Sequence, residues 1–130
     1  TAGPAASTAI RWVPYSDEML QQAWAESRPV FIDFYADWCV PCKEMDMKTF
    51  SAPEVVARSA DFVMLKVDLT STEDPASAAL IEKYRVKGVP TLVFLRPDGT
   101  EIDGLRGTGF ESREVFLEKM DKALESTRKP

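Results

Sequence analysis

Two cysteines, Cys39 and Cys42, are the residues of this chain whose type and spacing point most directly to chemistry. They follow an apolar run at 30–36, which predicts a strand buried on both faces of a sheet, and they stand where a helical pattern begins. Unpaired backbone N–H groups and the helix dipole stabilise a thiolate at a helix N-terminus. We therefore predict that Cys39 is the nucleophile. Cys42, one turn deeper on the same helical face, would attack the mixed disulfide formed at Cys39 and release the product.

Other uses of a C-x-x-C pair fit this composition less well. A structural zinc site needs four ligands, whereas the chain has two cysteines and no histidine. A c-type haem site would need histidine at position 43, which is Lys43. We therefore expect no metal and no cofactor. A purely structural disulfide stays open as an alternative, although closing so short a loop removes only about 2 kcal/mol of unfolded-state entropy.

Composition limits the class of protein and of partner. The 130 residues fit one domain, and 45% hydrophobic with 28% charged residues is ordinary for a globular chain. A net charge of -5 without a basic cluster argues against nucleic acid as a partner, which leaves proteins. No stretch approaches the roughly 18 apolar residues of a membrane span, and the start lacks the features of a signal peptide. Because the chain begins with Thr1, we expect a processed product or a fragment of a longer protein.

The rest of the pattern predicts the elements that must position the cysteines. Residues 1–9, rich in small residues and proline, predict a flexible linker or tail, and 10–130 predict the domain. We predict strands at 10–15, 30–36, 62–69, 89–95 and 100–106, and helices at 16–27, 39–49, 54–60, 74–85 and 112–126. This order predicts an α/β fold in which a mixed central sheet, ending in an antiparallel hairpin, is flanked by helices on both faces.

Two of the predicted helices carry apolar stripes that should face the core. For the first helix these residues are Met19, Leu20, Ala23 and Trp24, and for the last they are Val115, Phe116, Met120 and Leu124.

Several motifs together resemble a known family. The motif Trp38-Cys39-Val40-Pro41-Cys42-Lys43 follows Asp33-Phe34-Tyr35-Ala36, and Gly88-Val89-Pro90-Thr91 precedes a strand, as in the thioredoxin fold throughout residues 10–125. Further similarity to the C-terminal periplasmic domain of the DsbD family of transmembrane thiol:disulfide interchange proteins lies in 35–39, Lys43-Glu44 with Asp46, 49–53, and Arg106 with 108–110.

The resemblance implies a protein-disulfide reductase in the periplasm, as a domain of an inner-membrane protein. It would exchange dithiols and disulfides, receiving electrons from a transmembrane domain and passing them to an N-terminal periplasmic domain, without inserting into the membrane itself. A free-standing thioredoxin, periplasmic or cytoplasmic, is the alternative enzyme. A redox-inert interaction module that keeps a structural disulfide is the alternative outside enzymes.

Two carboxylates are candidate helpers of the thiols. Asp33 is an ionisable residue in an otherwise apolar strand, so burial should raise its pKa, and it could shuttle a proton for Cys42. The alternatives are an ion pair with Lys66 on a neighbouring strand or a carboxylate satisfied by water. Asp46, one turn beyond Cys42, could add negative charge near the thiols or could simply lie on a solvated helix face.

The predicted substrate groove rests mostly on the resemblance. It implies a cis bond between Val89 and Pro90 beside Cys39, where backbone groups would bind an extended substrate peptide. An ordinary trans turn is the alternative. Trp38 would flank the groove as an apolar contact, unless it is a core tryptophan, and Gly109 is assigned to substrate binding by the same resemblance.

Overall fold

The computed structural model describes residues 8–128, in which a four-stranded mixed sheet carries helices on both faces. The strands are β1 (Val13–Pro14), β2 (Val30–Tyr35), β3 (Val63–Asp68) and β4 (Thr91–Leu95). The helices are α1 (Asp17–Ala25), α2 (Val40–Glu44), α3 (Pro53–Ser59), α4 (Pro75–Tyr84) and α5 (Arg113–Arg128), with a π-helix (Met45–Thr49) directly after α2. The predicted fold class is confirmed.

Strand β2 lies inside the sheet, whose order is β1-β3-β2-β4. It runs parallel to β3, with Asp33 opposite Lys66, and antiparallel to β4, with Asp33 opposite Leu92. A strand with two hydrogen-bonded neighbours and helices above and below has no polar side, which is why β2 is almost wholly apolar. A short turn after the end of β2 leads to Cys39.

Alternation along β2 divides the core into two layers. Phe31 packs with Met45 of the π-helix and Phe116 of α5 on one face of the sheet. Ile32 packs on the other face, with Ala23 of α1 and with α4. Asp33 lies two positions after Phe31, so its side chain is on the same face of the sheet. The π-helix that follows α2 covers this face.

Local capping explains where α1 and α4 begin. The Ser16 hydroxyl accepts a hydrogen bond from the Met19 N–H at 3.1 Å, and the Asp74 carboxylate accepts one from the Ser77 N–H at 2.6 Å. Pro75 follows Asp74 at the first helical position, where its missing N–H costs nothing. Both caps stand at the first residue of a predicted helix, at 16–27 and at 74–85.

The predicted strand at 100–106 is wrong as a continuous element. Only two isolated antiparallel bridges form there, from Glu101 to Leu95 and from Gly107 to Leu92. Between them Gly104 has a φ of 85°, a left-handed conformation that breaks an extended ladder. The segment is therefore a loop fastened to β4 at both ends.

Two of the predicted core residues face solvent. Trp24 of α1 is 65% exposed and Val115 of α5 is also exposed, while Ala23, Phe116 and Met120 are buried as predicted. Residues 1–7 of the predicted tail lie outside the described residues, so the tail stays a prediction. Within 8–128, every helix is too short or too polar to span a bilayer.

Candidate redox site

The two cysteines form a disulfide at the start of α2. Their Cα atoms are 5.3 Å apart. Cys39 occupies the N-cap position, where its Sγ accepts a hydrogen bond from the backbone N–H of Cys42 at 3.2 Å. After reduction the same N–H group would point at the sulfur of Cys39, which favours a thiolate there. The predicted position of Cys39 at a helix N-terminus is confirmed.

Burial does not distinguish the two sulfur-bearing residues. Cys39 is 4% exposed and Cys42 is 5% exposed, so both are enclosed in the oxidised protein. They pack with Ala36, and Tyr35 and Val89 cover this cluster. The feature that separates the two residues is the helix end, where the Cys42 N–H group points at the sulfur of Cys39.

The bond between Val89 and Pro90 is cis, as the resemblance implied. Pro90 is buried, and Val89 is partly buried against the cysteine cluster. The segment stands immediately before β4, which pairs with β2 in the centre of the sheet. The fold thus brings the proline loop beside the disulfide although about fifty positions separate them in the sequence.

Trp38 lies on the surface next to the disulfide, so the alternative of a core tryptophan is wrong. Its side chain is 65% exposed, and its indole N–H donates a hydrogen bond to the backbone carbonyl of Thr70 at 3.2 Å. Val40, on the other side of Cys39 in the chain, is also exposed. An apolar rim therefore flanks the entrance to the disulfide.

Asp33 is buried at 3% exposure in the otherwise apolar strand β2. Burial raises the pKa of Asp33 to about 7, opposed by the positive charge of Lys66 and assisted by the negative charge of Asp46. A carboxyl group with such a pKa can take up or release a proton at neutral pH.

Lys66 faces other partners than the predicted one. It lies opposite Asp33 in the strand register, yet its Nζ is 3.9 Å from Oδ1 of Asp46. The same ammonium lies 4.9 Å from the ring centroid of Trp12 and 4.7 Å from that of Tyr35. The ion pair therefore forms with the exposed Asp46, and Asp33 feels Lys66 only as a nearby charge.

The roles predicted for Asp46 and Gly109 stay predictions, since the residues packed around the cysteines are Ala36, Tyr35 and Val89. Asp46 acts on Asp33 through its charge, and its effect on the thiols stays a prediction. Gly109 is partly buried in the loop before α5 and has open space where a side chain would begin, so its role in substrate binding also stays a prediction.

Thr70 was not predicted as a site residue, yet from the loop after β3 it forms hydrogen bonds with both Asp37 and Trp38. An Asp-x-Thr sequence at the end of the predicted strand at 62–69 was the available signal, because such residues form hydrogen-bonded turns.

Across residues 8–128, no three Cys, His, Asp or Glu side chains are grouped to hold a metal ion.

Comparison with known proteins places the site in a family. A family model described as thioredoxin-like matches residues 11–97. The thiol:disulfide interchange protein DsbD of Cronobacter sakazakii is 40% identical over 119 residues, covering 92% of this chain and 20% of that protein. That of Ralstonia nicotianae is 39% identical over 115 residues, covering 88% and 19%. The chain thus spans about a fifth of the length of these curated relatives.

Solved structures agree with the sequence relatives. A thioredoxin from Thermus thermophilus superposes with a TM-score of 0.76 at 31% identity, covering 92% of this chain and 91% of that chain. The C-terminal domain of DsbD from Neisseria meningitidis, in its reduced form, gives a TM-score of 0.70 at 32% identity, covering 82% and 91%. The predicted resemblance and the predicted chemistry, thiol–disulfide exchange at Cys39 and Cys42, are confirmed. The chain belongs to the thioredoxin-like family.

Proposed function

We propose that the chain is the protein-disulfide reductase module of a DsbD-like inner-membrane protein and works in the periplasm. It receives electrons from a transmembrane domain and passes them to an N-terminal periplasmic domain. The observation that carries the proposal is the disulfide at the N-terminus of α2, beside the Val89–Pro90 loop, in a chain 40% identical to a DsbD protein. The exchange needs no cofactor, because both electrons travel in the sulfur–sulfur bond.

The reaction proceeds through a mixed disulfide. The Cys39 thiolate attacks one sulfur of the partner's disulfide, and the other partner sulfur leaves as a thiolate that takes up a proton. Cys42 then loses its proton and attacks Cys39, which closes the disulfide and releases the second partner thiol. Counting the proton that Cys39 released when its thiolate formed, the chain loses two electrons and two protons, and the partner gains both.

Asp33 takes the proton of Cys42 during this second step. Its pKa of about 7 lets it accept a proton at neutral pH and return it to solvent afterwards. The raised pKa comes from the burial of Asp33 on the sheet face that the π-helix after α2 covers.

Binding of the partner takes place on the rim around the disulfide. Trp38 supplies an exposed apolar surface, and Val89 and Pro90 supply the edge against which an extended segment can lie. By the resemblance Gly109 belongs to the same groove, and the open space beside its backbone leaves room for that segment. Reduced and oxidised forms of the Neisseria meningitidis domain are both known as folded structures, which supports a scaffold that survives both states.

Trapping the intermediate tests the proposal. We expect the variant Cys42→Ser to form a stable mixed disulfide, through Cys39, with the oxidised N-terminal periplasmic domain of the Cronobacter sakazakii DsbD protein, because no resolving thiol remains. The double variant Cys39→Ser with Cys42→Ser is the control and should form none. Absence of the adduct with this domain, together with efficient reduction of other protein disulfides, would contradict the DsbD-like assignment.

A free-standing thioredoxin is the second candidate, favoured by the similarity to the Thermus thermophilus thioredoxin over 92% of this chain. Such a protein should reduce insulin at least as fast as it reduces the DsbD domain. A chain that reduces neither substrate would be the redox-inert module.

A further inference from the structure

The loop after β3 fastens the segment that leads into the redox disulfide. Trp38 donates its indole N–H to the Thr70 carbonyl at 3.2 Å, and the Asp37 backbone N–H donates to the Thr70 hydroxyl at 2.9 Å. Thr70 thus holds two successive residues directly before Cys39, although it lies more than thirty positions further along the chain.

Asp68 in turn fixes Thr70. The backbone N–H and the hydroxyl of Thr70 both donate to Oδ1 of Asp68, at 2.9 Å and 2.5 Å. The hydroxyl therefore donates to Asp68 and accepts from Asp37, which sets its orientation. Hydrogen bonds to a carboxylate are stronger than those between neutral groups, so Asp68 is the anchor of the arrangement.

The arrangement lies in water and contributes little to the core. Asp37, Trp38, Asp68 and Thr70 are all exposed. Solvent competes with each of the four hydrogen bonds among these residues, so they add little to the free energy of folding. Their main effect is to keep Trp38 in one orientation. A side chain already held in one arrangement loses less conformational freedom when a partner binds.

We propose that Asp68 and Thr70 are positioning residues that hold Trp38 ready for the protein partner before contact. The inference rests on the proposed function, in which Trp38 contacts the partner. Asp68 and Thr70 act through Trp38 and leave the sulfur chemistry at Cys39 unchanged. Their loss therefore weakens the binding of protein disulfides, whereas a small disulfide that does not reach Trp38 reacts as before.

The chain contains a matched control for this arrangement. In the turn after β4, the backbone N–H and the hydroxyl of Thr100 both donate to Oδ1 of Asp98, at 2.9 Å and 2.7 Å. The hydrogen bonds of Thr100 otherwise involve Arg96 of the same turn. Asp98→Ala therefore removes the same local bonds as Asp68→Ala, without a connection to Trp38.

Exchange kinetics with two disulfides of different size test the inference. Each pre-reduced variant is mixed, for a single turnover, with increasing excess concentrations of insulin and, separately, of oxidised glutathione, so that kcat and KM stand here for the limiting rate and the half-saturating concentration. We expect Asp68→Ala and Thr70→Val to raise the KM for insulin by about 3- to 10-fold with kcat nearly unchanged, because ordering of the side chain must then accompany binding. The rate with glutathione should stay within about twofold. Asp98→Ala and Thr100→Val should match the unmodified protein, and Thr70→Ser, which keeps the hydroxyl, should restore the KM.

A spectroscopic measurement on the same variants reports the order of Trp38 directly. The heteronuclear NOE of its indole N–H, assigned with Trp38→Phe, should fall in Asp68→Ala and stay constant in Asp98→Ala. An unchanged KM for insulin in Asp68→Ala, or an equal loss of rate with insulin and glutathione, would overturn the inference. A protein that reacts with neither disulfide would instead overturn the proposed function.

Discussion

Asp33 tests whether burial, and not pairing, sets the acid–base chemistry of the site. Burial raises its pKa from 3.8 to about 7. A carboxyl group with a raised folded pKa binds its proton more tightly in the folded protein, so it stabilises the fold at low pH. That stability is lost as the pH rises from the unfolded value through the folded value. At about 1.4 kcal/mol per pKa unit, the ionised group costs about 4 kcal/mol above pH 7, and about 2.5 kcal/mol of this develops between pH 5 and 8.

The substitution Asp33→Asn keeps the shape of the side chain and removes the charge. We expect the free energy of unfolding of the variant, relative to that of the unmodified protein, to rise by about 2.5 kcal/mol from pH 5 to pH 8. Urea denaturation of both oxidised proteins at several pH values measures this difference. Asp61→Asn, which removes an exposed carboxylate at the end of α3, is the control and should show a much smaller change.

The sign of the pH dependence distinguishes a buried carboxylate without a paired charge from one in an ion pair. If the relative stability of Asp33→Asn is flat or falls as the pH rises, Asp33 is a charge paired with Lys66 and the reasoning from burial is refuted. The same variant should also exchange disulfides more slowly at neutral pH, since an amide cannot take the proton of Cys42. An unchanged single-turnover rate with oxidised glutathione would remove Asp33 from the catalytic residues.

Two further predictions concern the helix end and the loop after β4. In the reduced protein, brief treatment with iodoacetamide at neutral pH should alkylate Cys39 before Cys42, because the first-turn N–H groups favour its thiolate; peptide mass spectrometry measures this, and preferential labelling of Cys42 would reverse the roles. Gly107→Ala should destabilise the protein by about 1 to 3 kcal/mol in urea denaturation, because the new Cβ would overlap Oε2 of Glu111, whose side chain is only 12% exposed. Gly88→Ala, where no atom lies within 4 Å of the new Cβ, is its control, and equal stability of the two variants would contradict the packing argument.

Features that depend on neighbouring residues were predictable from the sequence. Ser16 and Asp74 cap helices because a side-chain oxygen reaches an N–H group three residues ahead, wherever the helix later packs. Cys39 sits at the N-cap of α2 for the same local reason. The apolar run of β2 likewise predicted a strand buried on both faces.

Local patterns failed where a property depends on the neighbours that the fold supplies. Trp24 and Val115 fit the apolar stripes of their helices, but hydrophobicity does not tell how far the covering layer extends, and both lie at its edge in solvent. The strand predicted at 100–106 contains Gly104, which adopts a left-handed conformation. Glycine can take either sign of φ, so the path of the folded loop sets this conformation and the residue type alone does not.

Short-range spacing and capping were enough to predict the fold class, the redox pair and its place at a helix end. Which charges and donors meet at the site depends instead on contacts between distant parts of the chain. Lys66 pairs with Asp46 instead of Asp33, and Thr70 reaches Trp38, because these partners come from different elements whose approach depends on the packing of the whole sheet. The same packing withdraws Asp33 from water, and that desolvation, which no neighbouring residue specifies, gives its carboxyl group a pKa suited to proton transfer.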